Sequence, residues 1–232
     1  MEQRDLLARL TALLMKTREE PGARMPSERT LAEHFGVSRG QIREALAVLE
    51  ILRVVERKAK SGIYLTENRS SVEALAFFAQ AGLPLTPEEV YQAVEMRKIH
   101  EITAVRLACE RAKLENFERM RNVLDRSARR IEDVQPINLE DRDFHLEIVR
   151  ATQNNVFFKI VNVFYLMSER RLPLYFASPE RSRRSHEEHM RIFEALAKRD
   201  SAAAMALMSA HLQGVESYWN DLISKSDLAA PG

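Results

Sequence analysis

Four side chains in the second half of the chain are of types that bind transition metals. Asp141 and His145 are four residues apart and share one face of a predicted helix. His189 and His211 each lie on an apolar helical stripe, which points them into a bundle. Imidazoles and a carboxylate suit Zn²⁺, Ni²⁺, Mn²⁺ or Fe²⁺, and bundles build metal sites from facing helices. The pattern leaves open whether the four residues meet or are separately satisfied in the core.

A second group of residues, near the N-terminus, has side chains suited to contacting DNA. Ser27 and Ser38 each precede an apolar-periodic run and are expected to cap two short helices. Arg39 and Arg43 project from one face at the start of the second helix, and arginine can donate two hydrogen bonds to guanine. An ordinary solvated face is the alternative interpretation of these arginines.

The elements around these arginines predict a winged helix-turn-helix. Residues 6–15 are apolar at helical spacing, the two capped helices follow, and two β-type runs at 53–57 and 63–66 read as a hairpin. We therefore predict a DNA-binding domain over residues 1–66 and a polar linker over 67–71.

Residues 72–226 are predicted to form an all-helical domain, which makes the fold class mainly α. Proline and asparagine interrupt the apolar periodicity at several points. The expected helices lie near 71–81, 87–112, 115–131, 138–152, 155–171, 179–198 and 200–224. Only 7 glycines and 8 prolines occur in 232 residues, which disfavours a turn-rich β fold.

Composition excludes several classes of protein. With 45% hydrophobic and 30% charged residues, the chain is neither disordered nor a membrane protein, and no run approaches the roughly 18 apolar residues of a membrane helix. The first residues include acids where a signal peptide is basic. The single cysteine, Cys109, excludes an internal disulfide and is expected to be a small buried residue. We expect a cytoplasmic protein with no membrane partner.

One N-terminal stretch resembles a known DNA-binding signature. Met25-Pro-Ser-Glu-Arg-Thr-Leu-Ala-Glu-His-Phe-Gly-Val-Ser-Arg-Gly-Gln-Ile-Arg-Glu-Ala-Leu is similar to that of the GntR family of bacterial transcription regulators. The resemblance implies DNA contacts by Arg29, Ser38, Arg39, Gly40, Arg43, Lys60 and Gly62. Two features depart from the family. Arg53 stands where glycine is usual and a left-handed backbone is expected, and the wing reads Lys60-Ser61-Gly62-Ile63 instead of Gly-x-Gly-Thr.

The second half of the chain resembles the FCD effector domain of the FadR-type branch of that family. The motifs, in order, are Asp141-Arg-Asp-Phe-His145, His189-x-x-Ile192-x-x-Ala195 and His211-Leu212. The resemblance implies that these Asp and His residues bind a divalent metal, with Zn²⁺ preferred and Ni²⁺, Mn²⁺ or Fe²⁺ as alternatives. The metal would hold a small carboxylate effector.

Four further residues have two interpretations each. Arg97 resembles the family's effector-binding arginine, and an ion pair with Glu101 is the alternative. His186 is expected beside the site or at the surface rather than as a ligand. His34 and His100 are expected at the surface or with local partners.

The leading hypothesis is a homodimeric, ligand-responsive repressor that binds a double-stranded, palindromic DNA operator and is not an enzyme. A small organic acid would change its affinity for DNA. Two alternatives remain open. One is a metal-dependent enzyme built on the Asp/His site, and the other is a DNA-binding dimer whose metal is purely structural.

Overall fold

The computed structural model describes residues 3–16, 24–58, 61–66, 74, 77, 87–168 and 171–227. The chain divides into two compact units, an N-terminal unit over Met1–Pro84 and a C-terminal unit over Leu85–Gly232. The predicted linker at 67–71 and most of the predicted helix at 71–81 lie outside the described residues.

The N-terminal unit has three helices followed by a two-stranded antiparallel sheet. Its elements are α1 Gln3–Lys16, α2 Glu28–Phe35, α3 Arg39–Ile51, β1 Val55–Lys58 and β2 Gly62–Leu65. The strands pair with Val55 opposite Leu65 and Lys58 opposite Gly62. This order confirms the predicted winged helix-turn-helix.

Both predicted serine caps are present and fix the turn between α2 and α3. Ser27 Oγ accepts a hydrogen bond from the Thr30 amide at 3.2 Å. Ser38 Oγ accepts from the Gln41 amide at 3.2 Å, and the Gln41 side chain accepts from the Ser38 amide at 3.0 Å, which completes a capping box. Gly36 ends α2 in the left-handed conformation, with φ 65°. Together these contacts hold the first turn of α3 at the surface.

One apolar cluster holds the N-terminal unit together, because each helix buries residues at helical spacing against the sheet. Its fully buried members include Leu6, Leu10, Leu31, Ile42, Leu46, Leu49, Val54 and Leu65. Ala74 is buried in the same cluster, and Phe77 packs against it. Both residues follow the hairpin and lie within the range predicted for the helical domain.

The C-terminal unit is helical throughout its described residues. Its helices are α4 Pro87–Arg111, α5 Leu114–Glu132, α6 Asn138–Ala151, α7 Asn155–Ser168, α8 Leu172–Tyr175, α9 Pro179–Ala197 and α10 Ser201–Asp227. The short α8 was not predicted, since four residues are too few to show a helical period. No helix among the described residues is long and apolar enough to cross a membrane.

The core of the C-terminal unit combines a large apolar cluster with a group of buried polar side chains. Helix α4 packs against α6 and α10, and α9 packs against α5 and α10. The apolar part includes Ala104, Val105, Phe144, Ile148, Ile192 and Met208, and Cys109 is buried there as predicted. Charged and imidazole side chains are buried in the same bundle. Such groups require partners, since an unsatisfied buried polar group costs free energy.

Among the residues that the structure describes, four that are not glycine adopt the left-handed backbone conformation that favours glycine: Arg53, Val134, Gln153 and Arg199. Arg53, with φ 56°, confirms the geometry expected where the GntR family usually has glycine. Its carbonyl accepts a hydrogen bond from the Thr66 hydroxyl at 2.5 Å. Val134, with φ 55°, follows the C-cap of α5, and β-branched residues are rare in this conformation.

We predict that Val134→Gly stabilises the C-terminal unit. Valine in the left-handed region costs about 1–2 kcal/mol, and its side chain is 72% exposed, so little packing is lost. Because glycine also makes the unfolded chain more flexible, the net gain is about 1 kcal/mol, or a Tm rise of roughly 2–4 °C by thermal unfolding. Val134→Ala, which keeps the backbone cost, should give a smaller rise. Equal Tm values for the two variants would contradict the argument.

Candidate metal centre and nucleic-acid interface

The four predicted ligand residues come together from three helices. Asp141 and His145 lie one turn apart on α6, His189 lies on α9 and His211 on α10. Each is at most 3% exposed. One ligand atom from each residue lies within 4.8 Å of every other. The structure thus gathers all four residues in one buried cluster.

The inner atoms of this cluster are three imidazole nitrogens and one carboxylate oxygen. His211 Nε2 lies 3.2 Å from His145 Nε2 and 3.3 Å from His189 Nε2. Asp141 Oδ1 lies 3.4 Å from His189 Nε2 and 3.9 Å from His145 Nε2. Two nitrogens bound to Zn²⁺ at about 2.0–2.1 Å would be roughly 2.8–3.4 Å apart for angles between 90° and tetrahedral. The distances from His211 to the other two rings, and from Asp141 to His189, therefore fit a bound metal.

The outer atoms of two rings face carboxylates, which fixes how those rings are protonated. His145 Nδ1 contacts Glu101 Oε2, and His211 Nδ1 lies 2.7 Å from Glu188 Oε2. A neutral imidazole has one N–H, and a carboxylate accepts it. The Nδ1 atoms therefore carry the protons, and the Nε2 lone pairs point to the centre of the cluster. Converging lone pairs cannot satisfy one another, so this donor set could hold a divalent metal.

Further contacts hold the carboxylates themselves. Glu101 Oε1 accepts a hydrogen bond from Arg97 Nε at 2.7 Å and another from the Tyr165 hydroxyl. Asp141 Oδ1 accepts from the Ser185 hydroxyl at 3.1 Å. The cluster is therefore braced by groups from α4, α7 and α9.

Glu188 is held from the outside by Arg184, whose Nε lies 3.3 Å from Glu188 Oε1. A Cβ atom at Gly214 would lie 2.5 Å from Arg184 Nη2. A side chain at position 214 would therefore occupy the space in which Arg184 contacts Glu188.

Burial and neighbouring charges set the protonation of the cluster. Burial lowers the pKa of His189 well below its ordinary value, and the nearby His211 and His145 lower it further. Burial also lowers the pKa of His211, although the hydrogen bond that His211 donates to Glu188 acts in the opposite direction. For Glu101, burial acts to raise the pKa, but the adjacent His145 ring and the charge of Arg97 outweigh it and hold the pKa well below the usual range. Neutral histidines and an ionised Glu101 are the forms that favour metal binding.

Arg97 forms the ion pair with Glu101 that was one of its two interpretations, and its effector-binding role stays a prediction. Its Nε pairs with Glu101, which is the ion pair. Its Nη2 is buried, makes no hydrogen bond with the described residues, and lies 3.9 Å from Asp141 Oδ2. The Nε edge of the guanidinium is therefore bonded to Glu101, and the Nη2 edge is available beside the cluster.

Two other histidines lie near the cluster without belonging to it. His186 Nδ1 lies 3.1 Å from the Ser127 hydroxyl, as expected for a residue that is not a ligand. His100 was expected at the surface or with local partners, and the structure places it in the core, close to Glu101 and the Met96 backbone. His100 is 5% exposed, its ring meets Phe164 edge-on with centroids 5.0 Å apart, and its Nε2 has no hydrogen-bond partner among the described residues.

In the N-terminal unit, five of the predicted DNA-contacting residues lie exposed around the α2–α3 turn: Arg29, Ser38, Arg39, Gly40 and Arg43. A Cβ atom at Gly40 would meet only Ser38 Oγ, at 3.8 Å, so the fold itself does not require glycine there. Gly62 is different, because its φ is 128° and a Cβ would lie 3.0 Å from Arg24 Nε. The backbone conformation and the nearby Arg24 therefore account for glycine at position 62. Lys60 lies outside the described residues.

Glu28, which sequence reasoning did not single out, holds Arg43 in place. Its Oε2 lies 3.1 Å from Arg43 Nη2, and its Oε1 lies 3.3 Å from Arg57 Nη1. Arg57 also pairs with Glu50 at 3.2 Å. Since the Glu28 side chain is only 23% exposed, it links α2, α3 and β1 through one partly shielded carboxylate.

Comparison with known proteins agrees with both halves of this arrangement. Residues 2–65 match the model of the bacterial regulatory proteins of the gntR family, and residues 92–214 match that of the FCD domain. The chain is 34% identical to the HTH-type transcriptional regulator LutR of Bacillus subtilis, covering 85% of this chain and 91% of LutR. It is 31% identical to the Uxu operon transcriptional regulator of Escherichia coli, covering 90% and 83%.

A solved structure shares the fold. It is that of Lar, which controls expression of the Listeria monocytogenes agr system, with a TM-score of 0.70 and 18% sequence identity. The match covers 96% of this chain and 98% of Lar. At this identity the likeness concerns the fold alone.

A winged helix-turn-helix followed by an FCD helical unit defines a class of transcription regulators, and the curated relatives are named as regulators, not enzymes. The enzyme alternative is therefore set aside. The chain belongs to the GntR family of bacterial regulatory proteins and carries an FCD effector domain.

We predict that His100 makes the metal-free protein sensitive to acid. Burial lowers the pKa of His100 from 6.5 to about 4, and the charges of Arg97 and His145 lower it against the opposing Glu101. The stability due to neutral His100 is therefore present above pH 6.5 and is lost as the pH falls toward 4. Between pH 7 and 5 the loss is about 2 kcal/mol.

The test compares urea unfolding at pH 7 and pH 5, followed by fluorescence of the single tryptophan, Trp219, in the C-terminal unit. His100→Phe keeps an aromatic ring and should remove about 2 kcal/mol of the drop in unfolding free energy. His34→Phe, at an exposed site of the N-terminal unit, should leave the drop unchanged. An undiminished drop in His100→Phe would show that His100 does not carry it.

Proposed function

We propose that this chain is a cytoplasmic, homodimeric repressor that binds a palindromic operator and is released by a small carboxylate effector. A divalent metal at Asp141, His145, His189 and His211 would hold that effector. The observation that carries the proposal is the convergence of three imidazole nitrogens and a carboxylate oxygen beside the available Nη2 of Arg97.

DNA recognition is assigned to the first turns of α3. A recognition helix places its N-terminal residues in the major groove, and Arg39 and Arg43 can each make two hydrogen bonds to guanine there. Gly40 supports this assignment, since the chain itself has no need of glycine at that position. Arg29, Ser38 and the Lys60–Gly62 wing are assigned to phosphate and backbone contacts. Glu28 orients the Arg43 side chain for contact with the bases.

Effector binding is assigned to the metal cluster and Arg97. Zn²⁺ is preferred, with Ni²⁺, Mn²⁺ or Fe²⁺ as alternatives, because imidazole suits all of these ions. When bound, the metal supplies a positive charge that attracts carboxylate oxygens. Arg97 Nη2 donates to the same carboxylate, and Glu101 and Tyr165 keep the guanidinium oriented.

Effector and operator act on each other through the protein. Since coupling between two sites is reciprocal, the effector weakens DNA binding by the factor by which DNA weakens effector binding. The remaining alternative, a purely structural metal, differs in one respect. Small acids would then leave the stability of the metal-loaded protein unchanged.

We predict that Arg39→Ala and Arg43→Ala each weaken operator binding by roughly 5- to 150-fold, because each loses base contacts of about 1–3 kcal/mol. Fluorescence anisotropy with DNA from the region upstream of the gene, at fixed salt concentration, measures the affinity. Arg106→Ala, which removes an exposed arginine of the C-terminal unit, should bind as the wild type does. Wild-type affinity in both α3 variants would overturn the assignment of α3.

We predict that Glu188→Gln lowers Zn²⁺ affinity by roughly 10- to 100-fold, since it removes the carboxylate that orients His211. Competition with a chromophoric chelator measures the affinity. Glu187→Gln, one residue earlier on α9 and exposed, is the matched control and should leave Zn²⁺ affinity unchanged. Equal affinities in the two variants would show that Glu188 does not act on the metal site.

A further inference from the structure

A groove lies between the start of α2 and the β-hairpin of the N-terminal unit. Its volume is about 660 Å³, and Arg24, Glu28, Arg57 and Gly62 are among the residues that line it. Glu28 also contacts Arg43 of α3, at 3.1 Å. The groove is therefore adjacent to the helix to which DNA recognition is assigned, and a DNA strand whose bases meet α3 would run its phosphates along it.

The backbone around Arg24 is tied to the hairpin, which fixes where its side chain begins. Arg24 forms an antiparallel bridge with Tyr64, and the Met25 amide donates to the Ile63 carbonyl at 2.8 Å. The guanidinium lies against Gly62, where a Cβ atom would be 3.0 Å from Arg24 Nε and 3.4 Å from Nη2. Glycine at the first residue of β2 therefore leaves the space that the guanidinium occupies beside the hairpin turn.

Arg24 differs in its charge balance from the other cations that line the groove. Arg57 pairs with Glu28 at 3.3 Å, and Lys58 pairs with Glu56 at 2.8 Å. Arg24 is exposed, and its guanidinium makes no ion pair or hydrogen bond with any residue that the structure describes. A fixed guanidinium without an acidic partner attracts an anion, and its planar fork of donors matches the oxygens of a phosphate.

We propose that this groove is a binding site for the DNA backbone, in which Arg24 binds a phosphate of the strand that α3 contacts. Gly62 serves this contact by leaving space for the guanidinium. The proposal rests on the DNA binding proposed above, and it adds a residue that the family resemblance did not indicate. Phosphates carry no base identity. Arg24 therefore contributes the same affinity on every DNA sequence, whereas Arg39 and Arg43 contribute most on the operator.

The test removes the charge of Arg24 in the full-length protein and measures how DNA affinity depends on salt. Arg24→Met keeps an apolar stem without the guanidinium. Fluorescence anisotropy gives the affinity for DNA from the region upstream of the gene and for a scrambled duplex of the same length, at several salt concentrations. Since each neutralised phosphate releases counterions, the slope of log K against log salt should become shallower by about 0.9 on both duplexes, and binding at 0.1 M salt should weaken by about 5- to 10-fold.

Three further variants separate a phosphate contact from other effects. Arg24→Lys keeps the charge and should keep the salt slope of the wild type. Arg106→Met is the control, because it removes an exposed arginine of the C-terminal unit that does not line the groove, and it should leave the slope unchanged. Arg39→Ala should lose more affinity for the upstream DNA than for the scrambled duplex. Thermal unfolding checks that each variant folds, and Arg24→Gln serves if Arg24→Met does not.

The outcomes separate this proposal from the proposed function. Unchanged affinity and salt slope in Arg24→Met, beside a loss of operator binding in Arg39→Ala, would overturn the groove and leave the DNA-binding regulator standing. A loss confined to the upstream DNA would overturn the phosphate contact, because it would mark Arg24 as a base contact. An equally shallow slope in Arg24→Lys would show that the charge is not the cause. If the wild type binds neither duplex, the groove and the proposed function both fail.

Discussion

The C-terminal unit depends on one constraint, which is that buried imidazole rings must be protonated on their outer nitrogens. Glu101 and Glu188 impose this on His145 and His211 by accepting from Nδ1. The inner lone pairs then converge, and the bundle must supply a positive charge at their centre or bear the cost of leaving them unsatisfied. Glu101 on α4 and the cluster residues on α6, α9 and α10 are held at fixed distances for this reason, although the rest of the core is apolar.

In the N-terminal unit a carboxylate also orients basic side chains, but at the surface. One partly shielded carboxylate, Glu28, holds Arg43 of α3 and Arg57 of β1. In both units an acid fixes a cationic or basic side chain whose other face is left for a partner. The difference is burial, because the Glu28 pairs are accessible to water and are individually weak, whereas Glu101 is only 1% exposed.

Much of this arrangement could be predicted from local sequence patterns. Helical spacing placed Asp141, His145, His189 and His211 on inward faces, and the serine positions predicted both caps, but only the family resemblance grouped the four residues. Glu101, Glu188 and Glu28 were not predicted as orienting groups, because each acts on a side chain 44, 23 or 15 residues away. The burial of His100 could not be predicted, because the rings beside it, Phe157 and Phe164, come from another helix.

The placement of Asp141 and His145 on one turn of α6 has a consequence for biosynthesis. A ribosome makes α4 and α6 well before α9 and α10, so the nascent chain already holds two of the four inner groups and the acid that orients one of them. His189 and His211 follow 44 and 66 residues after His145. The cluster is therefore complete only when α9 and α10 pack against the earlier helices and bring in His189 and His211.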